Sequence, residues 1–584
     1  MGKIFFHYLK PFYPRMAGGF VIKFTGTLMD LFLPWALAYM IDTVIPANGR
    51  REILLWGIFM LGCSVLAVLF NVLANRMASR VAGDAVYAIR EDLFAKVVHL
   101  PDQTADKMTR PSLLSRLTTD TYNIHQMLGR IQRLGVRAPI LLVGGIAMTL
   151  MLDAALAGVL LATLPLLAAV VVVVSKRSIP LYGDLQESLD GFVRLVRENI
   201  AGIRVIKALS REGYEKRRFG QVNREVVERE QKAAMTAAVT NPAMNILLNL
   251  GLVAVILVGA IRVDAGLSEV GKILAFMTYF TIILNALLSI SRMFVMFSKA
   301  AASAGRIAEV LEAGDEREWG LPGERQDEAW QPLEGAGRGR TDLPHVRFDH
   351  VSFSYNKAAD NLSDISFSLG HGETLGIIGS TGSGKSTVAS LLMRFYDVDK
   401  GSVQIDGRDI RTMDLHGLRR RFGAVFQNDM LFAGSIYDNV NMGRDVGMEE
   451  AVRAVGHARA KDFVEGKGGL GEMLEIRGAN LSGGQKQRLL IARALASCPE
   501  ILVLDDCSSA LDYRTDAALR RELREHFADT TCIIIAQRIS SVMGADHILV
   551  LEEGRMAGYG THQELMAGCG IYQEIERSQM GQGR

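Results

Sequence analysis

The stretch GIIGSTGSGKST, Gly376 to Thr387, decides the reading of this chain. It starts as an apolar strand, turns through a glycine-rich loop and opens a helix. Gly379, Gly382, Gly384, Lys385 and Ser386 fit the pattern G-x-x-x-x-G-K-[ST]. Such a loop lets backbone N–H groups curl around phosphates. Ser380, Thr381, Ser383 and Thr387 complete the cradle, Lys385 reaches the β and γ phosphates, and Ser386 is placed to ligate Mg2+. The helix that follows adds the positive end of its dipole.

A second stretch, ILVLDDCSSALD (501–512), supplies the other half of a nucleotide site. Four aliphatic residues predict a buried strand, and Asp505 at its end is placed to hold Mg2+ through water. Just before it stands LSGGQKQR, Leu481 to Arg488, leading into a helical LLIARALA. Ser-Gly-Gly at a helix start is another anion cradle. Strands alternate with helical segments from VRFDHVSFSY (346–355) onward, which predicts an α/β domain.

The first half of the chain is of another kind. Of the 584 residues 49% are hydrophobic and 22% charged. Six apolar stretches are long enough to span a bilayer, which takes ~20 residues each. They run roughly over 18–42, 53–75, 134–153, 155–175, 242–262 and 273–297. The third and fourth form a tight hairpin with Asp153 at the turn. The intervening 76–133 and 176–241 are long and basic, with Arg76, Arg80, Arg90, Lys96, Lys107, Arg110, Arg116, Arg130 and Arg133 in the first. The positive-inside rule puts both segments and both termini in the cytoplasm, with the membrane helices continuing below the bilayer. KIFFHYLKPFYPR (3–15) suits an amphipathic helix at the membrane surface. Residues 313–344, rich in Gly, Pro and charge, predict a linker.

Other classes are excluded. A net charge of +2 gives no support for nucleic-acid binding. Cys63, Cys498, Cys507, Cys532 and Cys569 have neither CxxC nor metal-ligand spacing, so no disulfide framework and no zinc site is expected. Lys10, Pro11 and Arg15 interrupt any signal peptide, and Phe6 stands where myristoylation after Gly2 would want Ser or Thr.

Six spans, the phosphate loop, LSGGQ and ILVLDD together resemble a half-transporter of the ATP-binding cassette (ABC) exporter family. That resemblance covers nearly the whole chain. It implies an α-helical transmembrane domain over 1–312, the linker 313–344, and an α/β P-loop nucleotide-binding domain with a helical subdomain over 345–584. It also implies ATP and Mg2+ as ligands, the latter at Ser386, Gln427 and Asp505. By the same resemblance Tyr355 stacks on adenine, and Gln427 contacts Mg2+ and the attacking water. Leu481, Ser482, Gly483, Gly484 and Gln485 form the signature that closes over ATP held by another subunit. Asp512 lies at the dimer seam. RLTTDTYNI (116–124) and KALSREGYEKRRF (207–219) lie where exporters place their coupling helices.

The sequence departs from the family at three positions. The family usually carries Glu where Asp506 stands, and a histidine where Gln537 stands. Asp is shorter by one methylene, while a general base must lie within ~2.6–3.2 Å of its proton or act through water. An amide donates a hydrogen bond but does not become cationic. Ile476 replaces a common Glu in the loop before the signature. These departures resemble the degenerate-site subunit of a heterodimeric bacterial multidrug or lipid-type ABC exporter. The expectation is an inner-membrane, multi-pass protein with a weak ATPase site of its own, partnered by a second half-transporter chain and the lipid bilayer. Two alternatives stay open: a homodimeric exporter with a working altered site, and an ATP-gated channel or regulator. Polar residues in the spans, Lys23, Asp30, Asn245, Asn249, Asn285 and Arg292, are candidates to face an amphipathic substrate or to knit helices together.

Overall fold

The computed structural model describes residues 2–47, 49–319, 343–507 and 509–580. Most of the expected linker therefore lies outside the described residues, as does the side chain of Arg292. The chain divides into two compact units. One comprises Met1–Ala95 and Pro111–Glu312, the other Lys96–Arg110 and Ala313–Arg584.

The first unit is helical. Among the described residues, six helical stretches are long and apolar enough to cross a membrane: Phe6–Val44, Arg50–Val98, Arg110–Leu152, Ala154–Ala201, Glu212–Asp264 and Val270–Ile290. Their outward faces are greasy. Leu54, Leu55, Ile58, Leu61, Val65 and Val68 are all exposed along Arg50–Val98. In water such a surface would be a liability, and in lipid it is the stable one. Between helices the contacts are close. A Cβ on Gly251 would stand 2.5 Å from Phe280 Cζ, and one on Gly145 would stand 2.8 Å from Ile283 Cγ1. Small residues at helix seams bring backbones together where no hydrophobic drive separates lipid from protein.

Asp153 turns the hairpin as the sequence predicts. It caps helix Ala154–Ala201, accepting from the amides of Ala155 (2.9 Å) and Leu156 (3.3 Å), and pairs with Arg262 Nε at 3.1 Å. Lys23 is buried and donates to Asn71 Oδ1 (2.8 Å) and Asn75 Oδ1 (3.0 Å), while Asp30 pairs with Arg137 at 2.9 Å. These groups knit helices. Asn245, Asn249 and Asn285 are exposed.

The second unit holds three sheets among the described residues. The strands are β1 Val346–Phe353, β2 Leu362–Leu369, β3 Thr374–Gly379, β4 Lys400–Ile405, β5 Arg408–Asp409, β6 Phe422–Val425, β7 Gly434–Ser435, β8 Met473–Leu474, β9 Ile501–Asp505, β10 Thr531–Ile535, β11 His547–Glu552 and β12 Arg555–Gly560. A four-stranded sheet has the order β2-β1-β4-β5, and β7 pairs with β8. The central sheet, β12-β11-β3-β10-β9-β6, is parallel except for β12. Its middle strands are buried on both faces, which explains the continuous apolar runs in GIIG and ILVL.

The segment 96–110 clusters with the second unit. RLTTDTYNI (116–124) stays with the first unit, whereas 96–110, with its short helix Asp102–Met108, belongs to the second. The reason is polar contact at long range. Tyr396 Oη donates to Asp106 Oδ2 at 2.7 Å, Glu316 N donates to His99 O at 2.9 Å, and Lys96 pairs with Asp315 at 3.4 Å. KALSREGYEKRRF (207–219) spans the turn between helices Ile203–Ala208 and Glu212–Ala238 of the first unit.

Candidate nucleotide site

Parallel register gathers the site. Ile535 of β10 sits opposite both Asp505 of β9 and Ile377 of β3. The phosphate loop after β3, Asp505 and Asp506 at the end of β9, and Gln537 after β10 therefore share one edge of the sheet. The carboxyl ends of parallel strands are where α/β sheets bind ligands.

The loop has the backbone its glycines predict. Gly382 and Gly384 have φ of +85° and +95°, a region that favours glycine. A Cβ on Gly384 would meet Leu362 Cδ2 at 2.5 Å. Gly384 precedes helix Lys385–Leu392 and brings no capping side chain, so the helix N-terminus is open to an anion. The Ser383 hydroxyl is buried and has no hydrogen-bond partner among the described residues. The Lys385 ammonium donates to Gly379 O (3.0 Å) and Ser380 O (2.7 Å), and burial lowers its pKa. Phosphate oxygens fit each of these needs.

Asp505 is buried, and burial raises its pKa against a hydrogen bond from Ser386 that lowers it. A divalent cation suits such a carboxylate. Ser386, Asp505 and Gln427 would hold Mg2+, which would neutralise phosphate charge when bound. Tyr355 follows β1 and is 37% exposed, its ring braced edge-on by Phe353 (centroids 4.8 Å) and Tyr396 (5.0 Å). Its hydroxyl lies 3.3 Å from Thr387 Oγ1.

Asp506 sits in a left-handed conformation, φ +51°, its amide donating to Ile535 O at 2.8 Å. Its Oδ2 accepts from two amides, Gln537 Nε2 at 3.2 Å and Gln427 Nε2 at 3.4 Å. Sequence reasoning missed the residue that steadies Gln537. Gln579, near the C-terminus, donates to Gln537 O (2.8 Å) and accepts from Ile539 N (2.7 Å). No local pattern marks it, because its partners lie 40 and 42 residues away.

Leu481 is buried, and Ser482 caps helix Gly483–Leu495 in a reciprocal box: Gln485 N donates to Ser482 Oγ at 3.3 Å and Ser482 N donates to Gln485 Oε1 at 3.0 Å. Asp512 caps helix Tyr513–His526, accepting from Thr515 N (2.9 Å) and Thr515 Oγ1 (2.7 Å). Ile476 is 74% exposed.

A helical unit faced for lipid, joined to a phosphate-loop α/β unit, defines a membrane-embedded ATPase. The comparisons are specific. Residues 16–287 match the ABC transporter transmembrane region, and 362–509 match the ABC transporter family. YfiB, an ABC transporter ATP-binding protein of Bacillus subtilis (strain 168), is 34% identical over 579 residues, covering 98% of each chain. A fatty acid ABC transporter ATP-binding/permease protein of Mycobacterium bovis is 32% identical over 496 residues, 84% of this chain and 76% of that one. The structure of a bacterial Atm1-family ABC exporter with ATP bound superposes with a TM-score of 0.80 at 25% identity, covering 97% of this chain and 98% of that one. This chain belongs to the ABC transporters, as an exporter-type half-transporter with an ATP-hydrolysing domain.

Proposed function

We propose that this chain is one subunit of a heterodimeric exporter in the bacterial cytoplasmic membrane. It moves an amphipathic or hydrophobic substrate outward, binds ATP firmly in its own site and hydrolyses it slowly. The Asp506 carboxylate is the observation that carries this reading. It is short by one methylene, two side-chain amides donate to the same oxygen, and position 537 offers no imidazole. The first two features weaken proton abstraction from water, the third removes a cationic contact to phosphate, and Tyr355, the phosphate loop and Asp505 remain in place to bind ATP.

ABC exporters work as dimers in the bilayer. By family likeness, Ser482 to Gln485 would face the partner's ATP, so a well-capped signature beside a weak base supports a division of labour. The apolar spans suit an amphipathic cargo, and the fatty acid transporter among the relatives fits that class. Differential affinity of ATP for the closed dimer would drive the outward turn.

Purification from the native membrane tests the reading. A second half-transporter chain at 1:1 is expected, with ATP at this chain's site exchanging more slowly than at the partner's. A homodimer of this chain alone turning over ATP at ~10 s⁻¹, an ordinary enzyme rate, would overturn it.

A further inference from the structure

Two imidazoles and a carboxylate meet on the second unit, away from the phosphate loop. His457 ends helix Met448–His457, and Glu522 and His526 lie one turn apart on helix Tyr513–His526. His457 Nδ1 stands 3.1 Å from Glu522 Oε2, and His526 Nε2 stands 3.6 Å from the same oxygen. The three ligand atoms all lie within 4.8 Å of one another. A tetrahedral zinc with bonds of ~2.0–2.1 Å needs ligand atoms about 3.3 Å apart. The two measured separations bracket that edge. His526 is half-exposed at the last position of its helix, so it is free to close the third.

We infer that His457, Glu522 and His526 form a binding site for a first-row divalent cation, with zinc the best match to two imidazoles and one carboxylate. Arg459 supports this assignment. Its guanidinium holds Glu522 Oε1 at 2.7 Å and leaves Oε2 to the two histidines. Outer partners of this kind orient a ligating carboxylate. The cluster His345–His371–Asp406 also has three donors in reach, but Arg421 stands among them. That guanidinium donates to Asp406 Oδ2 at 2.5 Å and lies 3.3 Å from His345 Nε2, so a cation is already there.

The position gives the ion a consequence. Helix Tyr513–His526 begins at Asp512, and helix Met448–His457 packs against the signature helix Gly483–Leu495. An ion at this cluster ties the far end of the seam helix to the support of the signature helix.

Titration of the nucleotide-free, full-length protein in detergent with Zn2+ alone tests the site, with Co2+ as a spectroscopic probe. Expected are one ion per chain, a tetrahedral-type Co2+ absorption band and a raised melting temperature in Zn2+. His526→Ala, at an exposed helix end, should weaken binding at least tenfold and remove both the band and the thermal shift. Glu522→Gln should do the same, and His371→Ala should change none of them. Equal Zn2+ affinity in wild type and His526→Ala, or loss of binding in His371→Ala instead, would overturn the assignment.

Discussion

The Gln537 side chain donates to the Asp506 carboxylate at 3.2 Å, across the ends of two neighbouring strands. On the reading proposed above, this amide stands where the family resemblance expects an imidazole that would reach phosphate. On the same reading, the acid it holds is the one proposed to take a proton from water.

Restoring the pair should restore the chemistry. Asp506→Glu with Gln537→His should raise ATP turnover at this site by about 10²-fold, the lower end of what a positioned general base contributes. Single-turnover hydrolysis in the native complex measures it. An unchanged rate would place the weakness elsewhere.

Asp505 carries an opposite expectation for stability and binding. Burial raises its folded-state pKa, so the ionised form costs stability once pH exceeds that pKa, and the cost vanishes below the unfolded value. At neutral pH, Asp505→Asn should raise the melting temperature of the nucleotide-free protein. The same variant should lose the further thermal shift given by Mg2+ and ATP. Scanning calorimetry with and without nucleotide separates the two effects.

His345 predicts an acid-sensitive fold. Burial and the neighbouring His371 push its pKa down to about 4, with Asp406 opposing and Arg421 adding to the shift. Its Nδ1 stands 2.7 Å from Thr531 Oγ1, at the start of β10. A histidine held neutral stabilises the fold above its unfolded pKa of ~6.5. That contribution is lost as pH falls from there towards 4. His345→Gln should lower the melting temperature at pH 7 and flatten its decline between pH 6.5 and 4. A parallel decline in both proteins would assign the acid sensitivity to other groups.

The parts legible in sequence were those whose meaning is local. GIIGSTGSGKST declares strand, loop and helix within twelve residues, and the parallel register brings ILVLDD beside it. The six spans were legible because lipid demands unbroken apolar runs. Long-range polar pairing was not. Nothing around Asp106 announces Tyr396, and nothing around Gln537 announces Gln579. The place of RLTTDTYNI as a coupling element rests on its position in the family resemblance, and position alone does not specify a docking partner.

The strap 96–110 also has a consequence in time. Asp106 and its partner Tyr396 are 290 residues apart. At ~5–20 residues per second, a ribosome needs roughly 15–60 s to travel between them. For that interval the strap has been made and its dock has not. The nucleotide unit of this transporter is therefore assembled from an early fragment and a late one, and its folding finishes only after the membrane segments between them have been synthesised.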